Sequence, residues 1–294
     1  MREKDFSKTV RIFRISGNGM MPLTGKDIPR LEYIANDSSS FIRVLNFSDV
    51  EHSMRFNPIQ RRYLPRLQDC QAMADVIMRN GFSFDNYENF RQCFWISSAS
   101  NFLAALLYFF TRYEEKDRNG EIISYSDMPH ILAFLNHDYS EIFEVLKTNQ
   151  EICPLLTPFI TAYNNKAMEQ LEGMLGTLRV RITQLATRES FWILHRNGDD
   201  FHLDGIGQTN YVAVVTEKRY DFISRILTSL IIRTDVPDDI ELDNNNPTVR
   251  RILDFQCYRF DSEEAREDIL WQNYQSVLQD IDTMIQNFKK ISDL

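Results

Sequence analysis

The feature that most constrains this chain is a change of hydrophobic period along it. Near the start, residues 9–15 (TVRIFRI) and 41–47 (FIRVLNF) place apolar side chains at alternate positions, the pattern of a strand with one face buried. From about residue 66 the period becomes helical, and at 211–216 (YVAVVT) a near-continuous apolar run reads again as a strand. A few short strands cannot enclose a core of their own. A chain built this way reads as an α/β protein, predominantly helical: strands, a long helical stretch, strands again and an acidic helical tail.

The helical stretches follow from spacing. Leu67, Cys70, Ala74 and Ile77 step by three and four, with Gly81 as the expected C-cap. Residues 97–113 are apolar nearly all round, which predicts a central helix. Ser126 is the expected cap of a helix through Leu135. Asp138 with Glu141 three residues on reads as a capping-box-like start, with Ile142, Val145 and Leu146 facing inward. Residues 165–187 carry a stripe of Met168, Leu171, Leu175, Leu178, Ile182 and Leu185, although Gly173 and Gly176 lie inside it. Residues 190–195 (SFWILH) read as a strand, and 220–230 as an amphipathic helix after the strand 211–216. An acidic linker is expected at 235–246, followed by an Asn246-Pro247 helix start. The last helix, 262–291, bears Leu270, Tyr274, Val277, Ile281, Met284, Phe288 and Ile291, a stripe that either docks on the body or pairs with a partner helix.

Charge is uneven. Residues 1–66 hold 12 Lys/Arg against 7 Asp/Glu, and residues 234–294 hold 6 against 14, within a formal net charge of -9. That balance excludes a uniformly basic nucleic-acid coat but leaves room for a local basic face. The four cysteines, Cys70, Cys93, Cys153 and Cys257, form no CxxC pair, and the charged N-terminus leads into no apolar signal segment. A cytoplasmic, reducing setting is the expectation. The longest apolar run, Phe102 to Phe110, is nine residues, too short for a membrane span.

Catalytic patterns are mostly absent. Residues 17–27 (GNGMMPLTGKD) contain Gly25-Lys26, but Met20 stands where a phosphate loop needs its first glycine, and Asp27 replaces the hydroxyl residue. A surface turn is the simpler reading of 17–27. Glu217 after the apolar strand is a lone acid rather than a magnesium-binding pair. His130 and His137 are seven apart, too far for joint metal binding. His195 and His202 flank a turn with Asp199, Asp200 and Asp204, from which a metal site or an undetected hydrolase centre can be drawn, though a polar turn explains them better. No metal, cofactor or catalytic residue is therefore expected. Two basic clusters remain as binding candidates for DNA or a partner: Arg61, Arg62 and Arg66 beside Tyr63, and Arg179, Arg181 and Arg188.

Three stretches, taken in order, resemble TraG-type conjugative coupling proteins, the motor ATPases of type IV secretion. They are FIRVLNFSDVEHSMRFNPIQRRYLP (41–65), with its Ser53 and Asn57-Pro58 passage, FWISSASNFLAALLYFFTRY (94–113) and NYVAVVTEKRYDFISRILTSLIIR (210–233). The resemblance implies a partial RecA-like mixed sheet (1–65), interrupted by an all-α substrate-recognition domain (66–208) and resumed at 209–294 with a return strand and helix, the acidic linker and a C-terminal helical tail. It implies relaxosome or secreted protein substrates as partners, single- or double-stranded DNA as a further one, and the inner-membrane secretion machinery through a fuller coupling protein. The phosphate loop and the acidic magnesium strand of that family are missing, so ATP hydrolysis is not expected. A homo-oligomerising structural protein using the C-terminal helix is the alternative.

Overall fold

The computed structural model describes residues 8–16, 19–22, 41–80, 90–116, 119–198, 200, 210–217, 221–232, 250, 252–254 and 256–292. Gly81, Lys26, His202, the acidic linker 235–246 and the Asn246-Pro247 start lie outside them.

Six described strands form two sheets. β1 (Lys8–Ser16), β2 (Gly19–Pro22), β3 (Phe41–Asn46) and β6 (Asn210–Glu217) make a four-stranded sheet in the order β2-β1-β6-β3. β4 (Glu114–Lys116) and β5 (Ile122–Ser124) make a separate antiparallel pair. In the larger sheet β1 runs antiparallel to β2 and β6, whereas β3 runs parallel to β6, with Val44 opposite Ala213 and Leu45 opposite Val214. The alternation in the sequence explains the two faces. Phe13, Leu45, Val212 and Val214 enter the main core, while Val10, Ile12, Val44, Ala213 and Val215 form a smaller cluster with Ile252 on the other side. Because β6 is covered on both faces, it reads as a continuous apolar run rather than an alternating one.

The helices are α1 (Leu67–Asn80), α2 (Phe90–Phe110), α3 (Met128–Phe134), α4 (Tyr139–Leu146), α5 (Cys153–Asn164), α6 (Met168–Ile182), α7 (Arg188–Leu194), α8 (Asp221–Ile232) and α9 (Glu263–Ser292). Every residue of α2 from Phe102 to Phe110 is buried, as its all-round apolarity requires, and α2 packs chiefly on α1 and α6. Helix α8 follows β6, packs against it and also lies on α1. On α9, Leu270, Val277, Ile281 and Met284 are buried against the body, where the helix packs on α7, α3 and α4. Of the two roles open to that stripe, docking within the chain is the one observed. No described helix is long and apolar enough to cross a membrane.

Several expectations need correction. The segment expected as loop contains β2, which pairs antiparallel with β1, Ser16 opposite Gly19. Residues 190–194 are helical, not a strand. Thr187 caps α7 with its side-chain oxygen on the Ser190 amide, and this local bond decides a short apolar run that periodicity alone leaves ambiguous. Helix α3 is capped by Asp127 rather than Ser126, whose hydroxyl instead donates to the Ile59 carbonyl (2.6 Å). Asp138 does cap α4, but without a side-chain bond, and Glu141 turns to His137 and Lys289. The expected helix over 165–187 is shorter. Lys166 adopts φ 58°, closing α5, so α6 begins at Met168, and a 3-10 turn carries Thr183–Leu185. Helix α5, with Pro158 inside it, has no counterpart among the expected elements.

The two glycines of α6 differ in kind. A Cβ on Gly173 would lie 2.8 Å from the Trp95 ring, whereas one on Gly176 meets nothing within 4 Å. Gly176→Ala should therefore stabilise the chain by about 0.5–1 kcal/mol through helix propensity. Gly173→Ala should lose that gain to displacement of Trp95. Paired urea denaturations read the contrast. Equal stabilisation by both changes would contradict the packing of α6 on α2.

Candidate functional site: a buried histidine–carboxylate junction beside a polar cleft

The junction starts from a helix cap. Asp127 precedes α3 in extended conformation, and its Oδ1 accepts from the backbone N–H of His130 (2.8 Å) and from the His130 ring Nδ1 (2.6 Å). Its Oδ2 accepts from the backbone N–H of Arg196, just beyond α7 (2.5 Å). On the far side of the ring, His130 Nε2 lies 3.3 Å from Oδ2 of Asp280 on α9, an oxygen that also accepts from the Arg196 guanidinium at 2.8 Å. The other Arg196 nitrogen donates to the Ser124 carbonyl on β5 (3.0 Å). Asp127 and His130 are completely buried, and His195 is nearly so, its ring centre 5.7 Å from that of His130. Tyr125 sets its edge against His130 and its face under Arg196. One cluster thus joins β5, α3, the end of α7 and α9.

Electrostatics assigns the charges. Burial alone would raise the Asp127 carboxyl, but the His130 charge and hydrogen bonds outweigh it and hold the group below the usual carboxylate range. Burial alone would lower His130. The charge and hydrogen bond of Asp127, joined by the bond to Asp280, outweigh that and raise it. Asp280, partly desolvated, is held low by the His130 bond and the Arg196 charge. His195 lacks such a bond, and burial pushes it down to about 4, so it is neutral at pH 7.

Ligand atoms of Asp127, His130 and His195 lie within 4.8 Å of one another, close enough for a metal ion to be considered. The charges argue otherwise. Two carboxylates already balance the His130 and Arg196 cations, and a dication would have to take the proton from His130 while sitting beside a guanidinium. The geometry is that of a charge-balanced fold junction.

Beside the junction opens a cleft of about 450 Å³. Its walls include Asn57, Gln60 and Arg61 after β3, Ile122 and Ser126 at the β5 hairpin, and Arg196. The walls are tied together, since the Asn57 side chain donates to the Ser126 carbonyl (2.7 Å) and accepts from the Ile59 amide (2.9 Å).

The arginines singled out by sequence are distributed as follows. Arg61 and Arg62 are exposed on the turn before α1, with Arg62 over the Tyr63 ring (4.7 Å). Arg66 is exposed and paired with Asp69 (2.8 Å). Arg179 is half-buried and donates to the Tyr139 hydroxyl (3.0 Å) and the Leu135 carbonyl (2.9 Å), tying α6 to α4. Arg181 is half-buried on α6. Arg188 opens α7, lies over the Trp271 ring (4.6 Å) and faces Glu267 (3.4 Å) on α9. Arg179 and Arg188 thus bind neighbouring helices, and only Arg61 of the six lines the cleft.

His195 lies beside His130, 65 positions earlier; the expected turn partners His202, Asp199 and Asp204 lie outside the described residues. Asp200 instead accepts from the Arg55 backbone amide (2.6 Å) and the Tyr258 hydroxyl (2.5 Å). The Asp127-x-x-His130 spacing, a cap residue and its N3 partner, was the one local signal for the junction. Arg196 and Asp280 carried none.

Comparison with protein-family models, with curated proteins and with solved structures finds no match.

Proposed function

We propose that this chain is the partner-recognition part of a TraG-type conjugative coupling protein, engaging relaxosome or secreted proteins and not itself hydrolysing ATP. The observation that carries the reading is the parallel pairing of β3 with β6 across the long helical region between them. An α/β sheet interrupted by a helical insertion has this topology, and a parallel pair requires a crossover. The three stretches that resemble the family lie on β3 with the loop after it, on α2 from Phe94 onward with the turn after it, and on β6 with α8.

The Ser53 and Asn57-Pro58 passage supports the reading physically. The Ser53 hydroxyl oxygen accepts from the Asn46 amide at the end of β3 (2.9 Å), and Asn57 bonds Ser126 beside α3. The passage ties the end of β3 to the start of α3 by these two bonds. On this reading the helical residues 66–208 form the recognition domain and face the cytoplasm, within a fuller protein at the inner membrane.

The test is direct binding. The full chain, immobilised, should capture the purified relaxase or an accessory DNA-processing protein encoded in the same transfer region, saturably and with micromolar affinity or better. Absence of binding to every such protein would refute the reading. Magnesium-dependent ATP hydrolysis abolished by Lys26→Ala would refute its second half.

A further inference from the structure

We propose that α9 is a proton-gated strap, held on the body by two histidines that must both be charged to meet it, and that it opens locally as pH rises. The inference is independent of the recognition reading. Each histidine stands between a carboxylate near it in the chain and a carboxylate of α9. His130 places Nδ1 2.6 Å from Asp127 and Nε2 3.3 Å from Asp280. His137, in the turn between α3 and α4, places Nδ1 3.1 Å from Glu141 and Nε2 3.4 Å from Asp282. Asp280 and Asp282 flank the buried Ile281, so the two histidines grip α9 on either side of its apolar stripe.

Counting donors gives the gate. A carboxylate accepts, so both ring nitrogens must donate, and only the imidazolium carries two N–H groups. A neutral ring has one. It serves the nearer carboxylate, Asp127 or Glu141, and leaves a lone pair facing α9. The surrounding groups agree in sign. Burial and the Arg196 cation oppose charge on His130, and the neutral His195 ring and the Tyr125 edge lie beside it, but Asp127 and Asp280 outweigh the opposition and hold its pKa above 6.5. Around His137 stand Glu141 and Asp282, with Lys289 of α9 donating to Glu141 at 2.6 Å. Docked α9 therefore favours protons on the body that open α9 does not, and opening gains as pH rises. Helix α9 meets α7, α3 and α4 through side chains, so it can lift while their backbone bonding stays intact. Lifting uncovers Leu270, Val277, Ile281 and Met284.

The experiment is hydrogen exchange by mass spectrometry on the full chain, from about pH 6 to pH 9, a range that spans a raised histidine. Rates are corrected for base-catalysed intrinsic exchange. Amides of residues 277–288 should be less protected than those of 102–110 in α2 and indifferent to low urea, the mark of a local opening. Their protection should fall across the range by about ten-fold for the buried His130 contact, and by about two-fold more for the exposed one. Asp282→Asn should remove the smaller share, with folding intact because Asp282 is 61% exposed. Asp280→Asn, which leaves an oxygen for Arg196, should remove the larger. The slope with pH is the readout, because a merely structural role would change the level of protection and leave the slope. Protection of α9 that is constant with pH, or equal to that of α2 throughout, would overturn the inference. An unaltered slope in both variants would overturn it too.

Discussion

Asp127→Ala is expected to lower the free energy of unfolding by about 3–5 kcal/mol, the cost of removing one partner from a buried ion pair. The change strips three donors of their acceptor: the His130 amide, the His130 ring and the Arg196 amide. It also leaves the His130 charge with only the longer contact to Asp280. Asp127→Asn keeps a capping oxygen and should cost less. Denaturant titration of the three proteins measures the order. A loss under about 1 kcal/mol for the alanine variant would show that the junction is not a stabilising element.

The same junction predicts how stability varies with pH. The folded pKa of His130 is raised above 6.5, so its contribution is complete below pH 6.5 and is lost as pH rises through the raised value. The folded pKa of His195 is depressed to about 4. Its neutral ring favours the fold above pH 6.5, and that stability drains away as pH falls from 6.5 toward 4. Asp127 and Asp280 are depressed from 3.8, so their contributions are present above that value and lost only in stronger acid. Each histidine limb has a slope of up to about 1.4 kcal/mol per pH unit. The two limbs oppose each other and place maximal stability near pH 6.5. His195→Gln should flatten the acid limb and His130→Gln the alkaline one. A profile untouched by either change would contradict the charge assignment.

Phe102→Ala is the second large effect, again about 3–5 kcal/mol. The Phe102 ring is fully buried, meets Phe159 on α5 edge-on at 4.9 Å and reaches Phe143 on α4 at 6.4 Å. Alanine would open a cavity where α2, α4 and α5 converge, and close packing limits how far the walls can collapse. Phe102→Leu should recover much of the loss. Chemical denaturation should show a lower midpoint with an unchanged slope, because the unfolded surface is nearly the same. A loss below about 1.5 kcal/mol would mean that α5 does not seat on α2 as described.

What was legible in the sequence followed from periodicity over long segments. The alternation at 9–15 and 41–47 and the apolar run at 211–216 located β1, β3 and β6, and the helical steps located α1, α2, α4, α8 and α9. Local chemistry decided the errors. The Thr187 cap made a helix of SFWIL, and a shift of one residue moved the α3 cap from Ser126 to Asp127. Helix α5 was hidden because Pro154 and Pro158 suggest a loop, although Pro154 falls in the first turn, where proline is tolerated. The junction could not be read because Asp127, Arg196 and Asp280 meet only through tertiary packing of α3, α7 and α9. Asp280 lies one position from the buried Ile281 of the α9 stripe, so it looked like an ordinary polar residue of a docked helix.

One sheet bridges the helical region, with β3 and β6 as parallel neighbours. Val44→Cys combined with Ala213→Cys sets register partners of β3 and β6 facing each other, within the span that a disulfide can bridge. After mild oxidation and proteolysis within residues 66–208, mass spectrometry should find the two strand peptides linked until reductant is added. Val44→Cys with Val10→Cys, two strands apart at about 10 Å, should give no link. Absence of the first bridge, or equal yield of the second, would contradict the pairing on which the fold and its proposed role rest.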